Sequence, residues 1–489
     1  MNTKRYIYKA SWILSLITVS LSQQSCKDYL EVAPTNVVAM QTYADVKAFM
    51  GAYLYGFTNY QHTLSGTTSP LRNSRMKMMG QFYSDDLDSD KYLKNWVGAN
   101  NRGFLYGCLD WKENTIPGII WKEYYTNIGY FNTVLAELSK LKDISTEEYQ
   151  LVAGEAKVLR AWYLFKLMQY FSPYKHAELG LPFNLDPDKV GNYNAQRKSQ
   201  WETYEVITKE LKEVLAYTLM PKTGYSIFYD KEVISAILAQ VYLYKGGSGA
   251  GELSDYELAI TYAKAAMKGR DLTGLNNYDP MKTEGNQNGI YKNYPDQLIQ
   301  FTHSASSSGL QNIIGLPASG SSLMQYGRKE LYDLYEDQDI RKTYFFNSDM
   351  GIVKFEHEVS YGKDIHVLFS MAEMQLIIAE SYARLEKKNE AQSAYEYFMK
   401  HRVRGYSYKG ENVLASILIE RRKEFCFEDD MRWTDLTRLQ TGWSRRAIDK
   451  PGEEQYTLTD GDYRFCFPIP LDEELQFNKV PQNPGWGDL

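Results

Sequence analysis

The residues able to do chemistry are spread thinly along this 489-residue chain. Six histidines stand at 62, 176, 303, 357, 366 and 401. None belongs to an HExxH pair, which would place two zinc ligands on one helix face. The glycine run at 246–251 (GGSGAG) has the look of a phosphate loop, but no Lys-Ser/Thr follows it, so it reads as a turn between helices. No Gly-x-Ser-x-Gly elbow is present to expose a serine nucleophile. Asp85, Asp86, Asp88 and Asp90 form the one dense acidic cluster. From Asp86 it begins like a calcium loop, yet Lys91 occupies the glycine position and Val97 the bidentate glutamate position, which excludes an EF-hand. These carboxylates are expected to cap turns and stay solvated, with an irregular calcium site as the alternative; no cofactor is expected. A carboxylate pair for glycoside hydrolysis depends on spatial proximity that spacing alone does not reveal.

The aromatic residues carry a different chemistry. Tyrosine, at 41 residues, outnumbers phenylalanine at 20, and there are 9 tryptophans. Tyrosine suits sites half in water, where an apolar ring face and a hydroxyl are both useful. A sugar ring presents such a surface, with a C–H face for a flat ring to cover and a fringe of hydroxyls for amides, carboxylates or guanidinium. Rigid rings lose little rotamer entropy on binding. One segment supplies both kinds of group densely: Phe82, Tyr83, Tyr92, Asn95, Trp96, Asn100, Asn101, Arg102, Phe104 and Tyr106. A second adds Asn276, Asn277, Tyr278, Asn286, Gln287, Tyr291, Asn293 and Tyr294. Trp96 is the first candidate for a platform, followed by Tyr92 and Tyr291, with Tyr294, Asn95 and Arg102 beside them. Trp96 stands in a loop with few aliphatic neighbours to bury an indole. For any single ring, core packing is the competing reading.

Helices must position these loops. Trp121, Tyr125, Ile128, Phe131, Leu135 and Leu138 recur at three- and four-residue steps, as do Val152, Ala156, Leu159, Tyr163 and Leu167. Further amphipathic stretches cover 204–215, 233–244, 256–267, 371–385, 390–401 and 413–425. Ser145/Glu148, Ser199/Glu202 and Ser254/Glu257 read as capping boxes. The pair 233–245 and 254–268 is close to a tetratricopeptide unit in length, with Ala259, Ala263 and Ala266 at close-packing positions. The scaffold is therefore a divergent helical repeat. Residues 60–115 and 269–370 break the pattern, holding turn residues and short strand-like runs at 297–302 and 352–356. Loops this long inside a compact protein are where function concentrates.

Composition narrows the class. The chain has 24% charged and 44% hydrophobic residues and a net charge of −6, without the basic excess of a nucleic-acid binder. Its length leaves ample material for a core. Lys4, Arg5 and Lys9 precede an apolar run of about twelve residues, too short for a bilayer span of about twenty. With Ser25 before the cut, residues 1–25 read as a secretory signal peptide. Cys26 follows directly, as in a bacterial lipobox, although Gln23 stands where Leu is usual. The readings are a lipid anchor on Cys26, or secretion with a coincidental cysteine. Cys108, Cys426 and Cys466 then remain, an odd number without CxxC spacing, and are expected to be buried thiols.

Several segments together resemble the SusD/RagB family of outer-membrane nutrient-binding lipoproteins. Residues 154–163 read GEAKVLRAWY, 419–428 read IERRKEFCFE, and Arg432-Trp433 is followed by Asp435-Leu436. The tail carries FPIP at 467–470 and QNPGW at 482–486; Met371, Glu373, Ala379 and Glu380 fit a further helix, and CKDYLE at 26–31 fits the mature start. Asp429 takes the place of the family's usual glycine after the Phe-Glu pair. The resemblance implies a mostly α fold in which four divergent tetratricopeptide-like helix pairs support a loop-rich ligand face with few short strands. It divides the chain into a signal peptide (1–25), a helical region (26–268) with a loop insert at about 60–115, a ligand-face region (269–370) and a C-terminal region (371–489), forming one body. It implies no catalysis: the protein would capture a glycan at the cell surface and pass it to a SusC-type TonB-dependent transporter, anchored in the outer membrane by its lipid. Capture of peptide on the same scaffold and a tetratricopeptide adaptor are the alternatives. Glu420, Arg421, Arg422, Glu424, Glu428, Arg432 and Asp435 are expected to form an internal ion-pair lattice rather than a ligand site, with Trp433 in the core.

Overall fold

The structure, a computed structural model, describes residues 40–58, 76, 79–90, 107–186, 196–219, 226–278, 290–291, 296–304, 326–354, 363–410, 412–447, 455–470 and 479–487. The signal segment and Cys26 lie outside them. Helices dominate: α1 (Tyr43–Thr58), α2 (Thr115–Lys140), α3 (Thr146–Phe171), α4 (Gln200–Leu215), α5 (Lys231–Gly246) and α6 (Leu253–Met267) fill the first half. Two short helices, α7 (Lys329–Tyr332) and α8 (Ile340–Phe345), precede α9 (Met371–Arg384), α10 (Lys388–Lys400), α11 (Val413–Phe425) and α12 (Met431–Leu439). Packing is serial: α2 on α3, then α4, α5, α6, α9, α10 and α11, each against the next. Those eight helices are the four repeat pairs expected, with the stretch between α6 and α9 inserted into the row.

The central helix is α3. From Val152 to Phe171 it is buried on every side, as a helix enclosed by neighbours must be. Gly154 is where the loop before α5 comes close, because a Cβ there would lie 2.5 Å from the Tyr229 ring. Most of its charged residues are engaged. Glu155 accepts from the amides of Ile227 and Phe228, Arg160 bonds Glu210 and Asn132, and Lys166 pairs with Asp430 at 2.9 Å.

The boxes at Ser145/Glu148 and Ser199/Glu202 form as expected. The third does not: α6 starts earlier, and Glu252 with Asp255 makes the reciprocal pair in place of Ser254/Glu257. Asp255 also holds Lys245 of the preceding helix at 2.7 Å, a tertiary partner that favours this register.

The strands β1 (Ile290–Tyr291), β2 (Gln297–Ser304) and β3 (Lys363–Ser370) form an antiparallel sheet in that order, with Thr302 opposite Ile365. The run at 297–302 is thus a strand. The run at 352–356 shows only one isolated bridge, at Ile352, in its described part, and the longer strand is β3, which runs directly into α9 through the cap Ser370. A second hairpin joins β4 (Trp443–Arg446) to β5 (Gln455–Leu458).

Candidate ligand-binding face

The acidic and basic residues of α11 and α12 form a buried lattice. Arg341, with no solvent exposure, bonds Asp339 at 2.7 Å, Glu424 at 3.0 Å and also Glu420. Arg402 bonds Glu424 at 2.8 Å, and Arg421 and Arg438 share Asp435 at 3.1 and 2.8 Å. Burial alone would raise the Glu424 carboxyl, but Arg402 and Arg341 outweigh it and bring it down to about 2. Glu428 is the opposite case. Burial pushes it up to about 7, and Lys354 at 2.7 Å offsets only part of that.

This lattice reaches the first loop region. Arg432 grips Asp85 at 2.6 and 2.8 Å, and Arg422 bonds Asp86 at 2.8 Å. The expectation that Asp85 and Asp86 stay solvated is therefore wrong: both are buried braces. Their partners lie over 330 residues away in sequence, beyond any local reading. Phe82 and Tyr83 are core residues as well, on a π-helical turn, Met79–Tyr83. Trp111 is buried below, donating to the Tyr83 carbonyl at 2.8 Å and meeting Trp443 edge-on at 5.0 Å. The Arg445 guanidinium lies 4.5 Å from Trp111 and 4.2 Å from Trp443, and donates to the Phe82 carbonyl. Cation–π contacts of this kind gain strength when desolvated.

The two loop regions meet at residues 86–88 and 326–328. Leu87 bridges Gly327, the Asp88 amide donates to the Tyr326 carbonyl at 2.8 Å, and the Arg328 amide to that of Asp86 at 2.9 Å. Asp90, at the edge of residues 91–106, pairs with Arg446 of β4 at 3.1 Å. Half-buried Trp443 stands at this junction, with the Arg328 guanidinium 5.4 Å from its ring. Trp443 belongs to no motif in the sequence, and its surroundings come from residues distant in the chain, Trp111 and Arg328.

Of the candidate platform residues, Trp96, Tyr92, Asn95, Arg102 and Tyr294 lie outside the described residues. Tyr291 is on β1, its backbone paired with Gln300. Tyr278 is not a platform: it is buried, with the Arg402 guanidinium 4.3 Å from its ring. Cys108, Cys426 and Cys466 are free and buried, as expected, and Trp433 stacks on Phe467 at 5.7 Å within the core.

The tail motifs also prove structural. Asn483 donates to the carbonyls of Phe171 and Phe467 at 2.9 and 2.6 Å, Gln482 pairs with both backbone groups of Ile469, and Trp486 donates to the Cys466 carbonyl.

Two family models match in succession. One, described as starch-binding and associating with the outer membrane, covers residues 28–243; the other, described as the SusD family, covers residues 281–486. The chain belongs to the SusD family. It is 21% identical to SusD-like protein P2 of Formosa agariphila, over 98% of this chain and 99% of that one. Among solved structures, a SusD superfamily protein of Bacteroides thetaiotaomicron superposes with a TM-score of 0.67 at 18% identity, over 91% of this chain and all of that one. A SusD-like carbohydrate binding protein of Bacteroides vulgatus gives 0.65 at 18% identity, over 90% and 97%. Surface glycan-binding protein A of Bacteroides fluxus gives 0.63 at 18%, over 91% and 100%. At that identity the superpositions establish the SusD fold. Among the described residues, no helix is long and apolar enough to cross a membrane.

Proposed function

We propose that this chain is a non-catalytic, lipid-anchored protein of the outer cell surface that captures glycan on its loop face and hands it to a SusC-type TonB-dependent transporter. The observation that carries the reading is the bridge of Leu87 to Gly327, which holds the start of the first aromatic- and amide-rich segment against the second loop region on a braced scaffold. Such a scaffold suits a binding site, because groups held in place before the ligand arrives lose less freedom on binding. The relatives named for carbohydrate and glycan binding support the choice of ligand. Cys26 supplies the anchor and Trp96 the principal platform in this reading, with Tyr92, Tyr291, Tyr294, Asn95 and Arg102 around it.

Calorimetry or affinity electrophoresis of the detergent-solubilised full-length protein, against a panel of polysaccharides and peptides, tests it. Trp96→Ala is expected to weaken glycan binding by about 1–3 kcal/mol, the scale of aromatic anchors at other interfaces, with the melting temperature nearly unchanged. Binding of peptides alone would overturn the glycan reading. Destabilisation of about 3–5 kcal/mol in Trp96→Ala would instead make it a core residue.

A further inference from the structure

Helices α6, α9 and α10, with the residues just after α6, line a cavity of about 710 Å³. That volume falls in the range of small-molecule sites. Its apolar surface comes from Met267, Ile378 and the rings of Tyr382 and Tyr397. Both rings are pinned through their hydroxyls. Tyr382 accepts from the Lys264 ammonium at 2.8 Å, while Tyr397 donates to Asp271 at 3.0 Å and accepts from the Leu272 amide at 3.0 Å. Fixed rings of this kind present a flat face without first having to be ordered.

The rim is polar. Asn389 and Ser393 lie one turn apart on α10, on the same face, and both are exposed. Among the described residues neither side chain has a hydrogen-bond partner, so their donors and acceptors are open to a ligand. Charges on the lining balance, with Lys264 and Arg270 against Asp271 and Glu390. Arg270 is moreover engaged by Glu232 at 2.8 Å. A neutral lining with fixed rings and free amide and hydroxyl groups matches an uncharged polyol better than an anion. We infer that this inter-helical cavity is a second saccharide site, which takes a neutral sugar ring against Tyr382 and Tyr397 and bonds its hydroxyls through Asn389 and Ser393. The ligand class follows from this lining and uses none of the candidate platform residues Trp96, Tyr92, Tyr291 and Tyr294.

The test is calorimetry and saturation-transfer NMR of the detergent-solubilised full-length protein with maltose, cellobiose, lactose and digalacturonate. Ser393→Trp fills the cavity from an exposed helical position and is expected to abolish binding of at least one neutral disaccharide, while Trp96→Ala leaves that binding intact. Asn389→Ala, which removes only a rim amide, is expected to weaken it about fivefold, with circular dichroism melts showing both variants folded. If neutral-disaccharide binding survives Ser393→Trp unchanged, or if only digalacturonate binds there, the inference falls and the loop-face reading is untouched. Loss of a co-purifying membrane protein in Ser393→Trp, with sugar binding unchanged, would likewise overturn it and make the cavity a seat for a partner's side chain. Loss of all saccharide binding in Trp96→Ala, with none in Ser393→Trp, would leave only the loop face.

Discussion

Glu424 lies between two guanidinium groups, Arg402 at 2.8 Å and Arg341 at 3.0 Å, and all three are shielded from water. Removing one member of such a cluster strands the charges that remain, at a cost on the order of 3–5 kcal/mol. Glu424→Ala is therefore expected to lower the unfolding midpoint steeply in chemical denaturation, while glycan affinity per folded molecule stays nearly constant. Arg432→Ala should behave alike, since it leaves buried Asp85 with Arg422 alone, at 3.2 Å. Loss of binding in a fully stable variant would show that the lattice itself meets ligand. Asp429 is the residue that departs from the family pattern. It adopts φ of 36°, in the left-handed region that glycine accepts without strain and aspartate tolerates. Its carboxylate meets the Nδ1 atom of His366 at 2.6 Å, a contact that glycine could not make.

At the scale of elements, the family motifs are instructions for joining helices. Ser145 opens the enclosed helix α3 with a full capping box, its hydroxyl accepting from the Glu148 amide at 3.1 Å and Glu148 bonding back to the Ser145 amide at 3.0 Å. The box is exposed, so its loss should cost no more than a cap usually does. Ser145→Ala is expected to destabilise the protein by about 1 kcal/mol, measurable as a shift of the denaturation midpoint at constant slope. No change would mean that packing alone fixes the start of α3. Gly154, nine residues on, admits no such mild substitution, because the Tyr229 ring occupies the space of its missing side chain.

For the whole molecule, the buried carboxyls set a pH profile of stability. Burial raises Glu373 to about 7 against the partial relief of Arg421 and Gln240, and raises Glu428 to about 7 against Lys354. Their unfolded value is about 4.3, so their favourable contribution is complete below that value and is lost as pH rises through 7. Asp339 and Glu424 run the other way. Burial would raise both, but Arg341 and Lys423 for Asp339, and Arg402 and Arg341 for Glu424, hold each at about 2; their contribution is present above the unfolded value and lost as pH falls through 2. Stability should accordingly peak near pH 4 to 5, decline through about pH 7 and level off above it. Glu373→Gln, which keeps the shape, should flatten that decline in thermal melts from pH 5 to 8; an unchanged slope would refute the assignment. The anchor concerns the whole molecule too. Cys26→Ala is expected to release the protein from the outer membrane or leave its precursor uncut, read by membrane fractionation, and a processed, membrane-held variant would count against lipidation.

The sequence by itself determined the helices, because their periodicity, caps and alanine positions are local, and each is read within a few turns. It also determined the family, since the motifs at 154–163, 419–436 and 467–486 are short and contiguous. The buried ring of Trp433 and the lattice around Glu424 followed from that recognition. Only the tertiary structure decided what depends on residues far apart in the chain. Asp85 and Asp86 changed from solvated turn caps to buried braces because Arg432 and Arg422 reach them from over 330 positions away. Tyr278, one of the rings of the second loop segment, is a core residue beside Arg402, and the cap of α6 shifted to Glu252 and Asp255 when Lys245 supplied a partner across the turn. The junction of Leu87 with Gly327 and the cavity between α6, α9 and α10 are of the same kind. Burial and charge pairing act through space, and a one-dimensional pattern records only those partners that happen to be neighbours in sequence.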